Sequence, residues 1–238
     1  MGSIIIQHVD TIVYSRVPTR FFEEHGDRFA EFELDSISES ISIQISAAID
    51  LWCNDFSAPK SVTVHDSLDA FLSAEKYIEC DNDLIVQQAV KLKNHKSDLK
   101  TIRNIHAFVH KNLKYSGYNP KDVGAVAALQ NLNGDCTEFA DLFVALCRAN
   151  KIPARVVEGY KTENISMAQH NWAEVFLPEF GWRIVDPTIS SFQQLDNAYI
   201  KLSSNRHLNA LNGYHFFSYV YRGDPIKVTD RVTTSNVN

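Results

Sequence analysis

The spacing of apolar residues changes twice along this 238-residue chain, and that order limits the folds open to it. In "SISESISIQIS" (36–46), Ile37, Ile41, Ile43 and Ile45 share one face, interrupted by Glu39, with Ser40, Ser42, Gln44 and Ser46 opposite. That is the period of a half-buried strand. "IIIQHVDTIVYS", "RFAEFELD" and "SVTVHDSL" are weaker runs of the same kind, so residues 1 to about 72 are expected to form a small antiparallel sandwich. From about residue 82 the period becomes helical: "DLIVQQAVKL" is followed by "SDLKTIRNIHAFVHKNL", whose Leu99, Ile102, Ile105 and Val109 form one stripe behind a Ser97 N-cap. "YSGYNPKDVG" supplies a loop. Strand patterns then return in "ARVVEGY" (154–160), "HNWAEVFL" (170–177), "GWRIVD" (181–186), "YHFFSYVY" and "PIKVTD". Helices followed by a run of strands predict an α+β fold, with a β-rich N-terminal domain over 1–75 and a second domain over 76–238.

Composition narrows the function classes. Hydrophobic residues at 45% and charged residues at 22% suit a globular chain with one or two cores. A net charge of −6 offers a polyanion no general attraction, so no nucleic-acid partner is expected, and "KLKNHKSDLK" reads as solvated helix surface. No stretch approaches the roughly 18 apolar residues of a membrane span. "MGSIIIQHVDTIVYS" has neither a basic start nor a small-residue cleavage site, and the expectation is a soluble, cytoplasmic chain. The four cysteines, Cys53, Cys80, Cys136 and Cys147, contain no C-x-x-C pair, which argues against a zinc knuckle and a disulfide scaffold and for free thiols. No cofactor and no metal are expected, and nothing specifies an oligomeric state.

One of those thiols has an unusual position. In "NGDCTEFADLFVALCRA" (133–149), Asp135 stands at an N-cap and Glu138 three residues on, an Asp variant of the capping box, so Cys136 is the first helical residue. Phe139, Ala140, Phe143, Leu146 and Cys147 continue as a core stripe. A thiol in a first helical turn meets the positive end of the helix dipole and unpaired backbone N–H groups, which favour charged sulfur and can receive an oxyanion. The same residue could equally begin the core stripe.

A cysteine nucleophile needs an imidazole within reach and a group to orient it. His106 and His110 lie one helical turn apart but lack an H-E-x-x-H pattern or an acidic third ligand, and read as surface or interhelical packing. His170 differs: it begins a strand that turns through "PEFG" and returns to Asp186. In the register that sets Trp172 opposite Ile184, His170 faces Asp186 directly. A turn centred on "PEFG" itself makes the contact diagonal or loses it. Pro187 would end the strand and expose the pair at the sheet end. Polar ends of an ordinary hairpin would show the same residues.

Together, "GDCTEFADLFVALCRANKIPARVVEGY" and "HNWAEVFLPEFGWRIVDPT" resemble the core of the transglutaminase-like superfamily of papain-fold cysteine enzymes. The resemblance is carried by Gly134, Asp135, Cys136, the helix end Leu146 to Arg148, "IPARVVEGY", "H-x-W-x-E" and "GW-x-x-x-DPT"; it covers about residues 82 to 230. It implies a central nucleophile helix packed on an antiparallel sheet and a Cys-His-Asp triad: Cys136 as nucleophile, His170 as base and then acid, Asp186 as orienter. The implied cycle attacks an amide carbonyl of a protein or peptide substrate, releases an amine and leaves a thioester. Resolution by water gives a peptidase or amidase, and by an amine a transglutaminase. Bacterial relatives with a β-rich N-terminal part are usually described as candidate cysteine proteases, and this chain is most similar to those.

The departures narrow the expectation. Animal transglutaminases carry further β-domains, calcium sites and an oxyanion-stabilising tryptophan upstream of the nucleophile, whereas Trp52, Trp172 and Trp182 lie elsewhere. The C-x-x-C zinc module of peptide N-glycanases is absent, as is a cofactor signature of the kind arylamine N-acetyltransferases should bring. The oxyanion hole is expected from the Cys136 backbone N–H, with Tyr115 or Gln130 as side-chain candidates. A noncatalytic binding module of the same fold is the other reading. Cleft walls are expected from 161–169 and 190–211, while Trp172 and Tyr160 fit either cleft or core.

Overall fold

The computed structural model describes residues 7–24, 27–52, 68–119, 121–162, 169–192, 198–204 and 217–235. Its N-terminal part contains two separate two-stranded ladders, β1 (Gln7–Tyr14) with β4 (Ile45–Leu51) and β2 (Arg20–Glu24) with β3 (Asp27–Glu31), both antiparallel. The strand expected over 36–46 begins only at Ile45. Its partner β1 ends at Tyr14, where the chain bends at Ser15 and Arg16 and Ser15 N–H donates to the Gln44 carbonyl at 2.9 Å, so residues before Gln44 have no ladder to join. Ile37 and Ile41 are accordingly exposed. Alternating residues make a strand only where a neighbour accepts its hydrogen bonds. Most of "SVTVHDSL" lies outside the described residues.

The helical region follows its sequence signals closely. Helix α1 (Asp83–Leu92) starts where the Asn82 side chain accepts from Leu84 N–H, and α2 (Asp98–Asn112) where Ser97 accepts from Lys100 N–H. Strand β5 (Lys114–Tyr115) runs parallel to β6 (Asn133–Gly134), with the short helix α3 (Ala125–Asn131) between them in sequence. Helix α3 begins directly after the loop "YSGYNPKDVG", in a stretch to which the sequence pattern assigns no element. Next comes α4 (Cys136–Ala149).

Helix α4 is more deeply buried than a single stripe predicts. Every residue from Thr137 to Arg148 is buried, because α1, α2 and α3 and the strands β7 (Ala154–Lys161) and β8 (Gln169–Leu177) all pack against it. Full burial of side chains such as Leu142, Phe143 and Leu146 stabilises the fold by about 1.5–3 kcal/mol each. Arg148 is tolerated inside because Nε donates to the Ala154 carbonyl at 2.8 Å, while Nη1 reaches the Ser73 carbonyl at 2.7 Å and Glu75 at 2.8 Å.

The main sheet has the order β10-β7-β8-β9, all antiparallel, with β9 at Gly181–Val185 and β10 at Tyr199–Ser203. One face, including Val156, Ala173, Val175 and Val185, joins the α4 core. The other carries Val157, Trp172, Ile184 and Tyr199. The fold is thus α+β, with a central helix against an antiparallel sheet, as expected. Strand β10 falls in a region read as cleft wall, and the strands expected at "YHFFSYVY" and "PIKVTD" do not form within residues 217–235. Val220 and Val228 there are exposed, so β propensity finds no sheet edge to act on.

Candidate active site

The start of α4 is fixed by a complete capping box. Asp135 Oδ1 accepts from Thr137 N–H at 2.8 Å, and Glu138 Oε2 accepts from Asp135 N–H at 3.0 Å. Gly134 is required one residue earlier, because a Cβ there would lie 2.3 Å from that of Glu138. The same two carboxylates hold the preceding loop: Asn119 N–H donates to Asp135 Oδ2 at 2.9 Å and Val123 N–H to Glu138 Oε1 at 3.3 Å. Burial pushes the Glu138 carboxyl above its usual range, against the pull of these amides.

Cys136 is therefore held at the first position of α4, half-buried, with a backbone N–H that has no acceptor within the helix. Cys147, from the same sequence stretch, is a core residue whose thiol burial pushes well above the ordinary value.

The imidazole and carboxylate arrive from the sheet, in a register different from the direct pairing. Glu174, and not Trp172, faces Ile184, and Leu177 faces Gly181. The turn spans Pro178 to Phe180, with Phe180 N–H donating to the Leu177 carbonyl at 2.9 Å and Gly181 taking φ +73. This moves the facing partner of His170 two residues beyond Asp186. A two-residue shift keeps side chains on the same face, so the contact survives as a diagonal one. His170 Nε2 lies 2.8 Å from Asp186 Oδ2. Cys136 lies near enough to the His170 ring to raise its pKa together with Asp186.

Several groups hold the His170–Asp186 pair in place. Asp186, 1% exposed, accepts at Oδ1 from Thr188 N–H (2.9 Å) and Thr188 Oγ1 (2.6 Å), and at Oδ2 from the Tyr199 hydroxyl (2.8 Å). His106, buried on α2, contacts the Asp186 backbone carbonyl through Nε2 at 3.2 Å and also meets the Ile189 backbone. It packs behind the segment carrying Asp186, and burial lowers its pKa. Asn171, beside His170 but on the opposite face of β8, donates to Thr137 Oγ1 at 2.8 Å and so ties β8 to the first turn of α4. Gly159 faces His170 from β7; a Cβ there would lie 2.0 Å from the Ile200 carbonyl oxygen and 2.6 Å from the Trp172 ring.

The charges respond to this packing. Burial by itself would lower the His170 pKa, but hydrogen bonds and charge from Asp186 and Cys136 raise it to about 9. Burial would raise Asp186, yet His170 and the Thr188 donors hold it at about 2. Of the oxyanion candidates, Tyr115 lies beside Gly134, with its hydroxyl pushed up by burial and by the neighbouring Cys136, Asp135 and Asp186. Gln130 is exposed on α3. Trp172 and Tyr160 are buried core residues. Among the described residues, no group of three or more His, Cys, Asp or Glu could hold a metal ion, and no helix is long and apolar enough to cross a membrane.

Asn171, Thr137 and Tyr199 went unrecognised as site residues in the sequence. Asn171 follows His170 directly and Thr137 follows Cys136 directly, a juxtaposition that could have drawn attention to both. Tyr199 gave no comparable signal.

A family model described as the transglutaminase-like superfamily matches residues 86–187. An uncharacterized protein of Haemophilus influenzae is 27% identical over 157 residues, covering 55% of this chain and 42% of that protein. A protein-glutamine gamma-glutamyltransferase of Pseudomonas aeruginosa is 38% identical over 66 residues, 24% of this chain and 10% of the relative. The chain thus spans less than half the length of these curated relatives. Among solved structures, a candidate cysteine protease from Cytophaga hutchinsonii superposes with a TM-score of 0.59 at 22% identity, covering 83% of this chain and 70% of that one, and it shares the fold. The matched segment runs from within α1 through the sheet to Pro187, and over that segment the chain is similar to the transglutaminase-like superfamily.

Proposed function

We propose that the protein is a cysteine-dependent amide-bond hydrolase, with Cys136 as nucleophile, His170 as general base and acid, and Asp186 as the group that orients His170. The observation carrying this reading is the 2.8 Å contact between His170 and a buried carboxylate that is already anionic, with Cys136, the first residue of α4, near enough to raise the His170 pKa. His170 takes the thiol proton as Sγ attacks the amide carbonyl carbon, and the resulting oxyanion meets the Cys136 backbone N–H. The imidazolium then gives its proton to the departing nitrogen, the C–N bond breaks, and a thioester remains. Water attacks that thioester with His170 again as base, releasing the acid and returning the thiol. Residues 76–238 form the catalytic unit in this proposal and residues 1–75 a separate β-rich unit. The local likeness to a protein-glutamine gamma-glutamyltransferase supports a second reading, in which an amine replaces water.

The first test is the pH dependence of Cys136 alkylation by iodoacetamide in wild type and His170→Ala, with Cys136→Ala subtracting the other thiols. Labelling that is fast well below pH ~8 and lost in His170→Ala is expected for an assembled pair. Labelling that rises only near pH ~8.5 in both proteins leaves a binding module. Peptide amides presented with and without hydroxylamine then separate hydrolysis from acyl transfer, through released acid against hydroxamate.

A further inference from the structure

Asp186 Oδ2 is shared. His170 Nε2 and the Tyr199 hydroxyl both lie 2.8 Å from this one oxygen. Tyr199 is 3% exposed, and its ring is confined by the edge of Trp172 (centroids 5.2 Å apart, 70°) and by the His170 ring at 6.3 Å. It begins β10, opposite Lys161, whose ammonium lies 5.4 Å from the centre of the Tyr199 ring. A buried phenol held this tightly has one geometry in which to donate, and it donates to the oxygen that serves the imidazole.

We infer that Tyr199 is a positioning residue that sets the proton affinity of His170 by competing with it for Asp186 Oδ2. The inference rests on the catalytic reading above and deepens it. A carboxylate oxygen that accepts a second hydrogen bond carries less charge toward the first donor, so the imidazolium is held less firmly. A base that held its proton without this relief would take the thiol proton readily and return it slowly to a departing amine. The phenol therefore keeps His170 usable in both directions. The other groups facing the pair are Cys136 from α4, Tyr115 from β5, His106 from α2 and Lys161 from β7, and none of these donates a side-chain hydrogen bond to the shared oxygen in the contacts described.

The test is a nuclear magnetic resonance titration of the His170 ring in wild type, in Tyr199→Phe and in protein carrying 3,5-difluorotyrosine at position 199. Removing the hydroxyl is expected to raise the His170 pKa by roughly 0.5–1 unit, and the more acidic fluorinated phenol to lower it. A role confined to packing would move neither, and a His170 titration unchanged in both proteins, or moved in the same direction by both, overturns the inference. If Tyr199→Phe does not fold, the fluorinated protein alone decides by the sign of its shift. The titration needs no turnover. Opposed shifts accompanied by unactivated Cys136 alkylation therefore support Tyr199 as the modulator while removing the catalytic reading on its own.

Discussion

Replacing Asp186 by asparagine removes the charge that keeps a proton on His170, and the size of the effect follows from the site. The His170 pKa is lifted from 6.5 to about 9, although burial pulls it the other way. At about 1.36 kcal/mol per unit, that lift amounts to about 3 kcal/mol in favour of the imidazolium. Asp186 contributes both a hydrogen bond and a charge to it, and Cys136 supplies the remainder. With asparagine in place the burial opposing ionisation remains, so the His170 pKa is expected at or below about 7. The assay is a titration of the His170 ring resonances in wild type and Asp186→Asn. A value remaining above about 8 in the variant would refute the assignment of Asp186 as the principal source of the lift. Stability should respond with a definite sign. A raised folded-state pKa contributes stability that is fully present below about pH 6.5 and lost as pH rises through about 9. The deficit of Asp186→Asn in urea unfolding should therefore be largest at and below neutral pH and shrink toward pH 9–10. A pH-independent part will persist, because an amide NH₂ cannot accept from the Thr188 or Tyr199 donors now facing both oxygens.

Three other substitutions probe separate supports. Gly159→Ala forces a Cβ into the Ile200 carbonyl and the Trp172 ring, and should destabilise by about 2–3 kcal/mol in urea unfolding; a loss under about 0.5 kcal/mol would show that β10 yields freely. Glu174→Gln leaves Arg155 and Lys201 without their shared anion and should cost about 3 kcal/mol at neutral pH. Burial would raise Glu174, but Lys201 and Arg155 hold it at about 2, so the contribution is present above about pH 4.5 and fades as pH falls through 2. Stability curves for wild type and Glu174→Gln should therefore converge in acid, and parallel curves would count against the ion pair. Asn171→Ala removes the bond to Thr137, and should slow Cys136 alkylation several-fold for a loss of only about 1 kcal/mol in stability; an unchanged alkylation rate would mean that β8 and α4 keep their alignment without it.

The sequence made α1, α2 and α4 legible because their periodicity and caps are local, whereas α3 starts at Gly124 without a side-chain cap. Ser97 and Asp135 need only the backbone two or three residues ahead, and both do what their positions imply. Cys136, His170 and Asp186 were nameable because each sits at the end of an element. Their meeting depended on a hairpin register that the residues left open, and the observed shift of two preserved the face while changing the geometry. Segments 36–44 and 225–230 show the complementary failure: alternation and β-branched residues record a preference, while a strand needs a partner that the linear pattern does not identify. Tyr199 was illegible for the same reason. Its hydroxyl is meaningful only once β10 is placed beside β7, and nothing within "NAYIKLSS" announces that neighbour.

Gln7 reaches the outer side of β10, where its Nε2 donates to the Lys201 carbonyl at 2.9 Å and its Oε1 accepts from Lys201 N–H at 2.7 Å. A side-chain amide presents the same donor and acceptor as a peptide unit, so one residue satisfies the rung that another strand would otherwise occupy. Asp27 does similar work further along, taking Ser203 Oγ at 2.6 Å and Ser204 N–H at 3.3 Å. Together the two contacts blunt an edge that would be open to templated pairing with a second polypeptide. An extended chain could join the sheet here only by first displacing the Gln7 amide, so the contact that docks the N-terminal segment also guards this margin against aggregation.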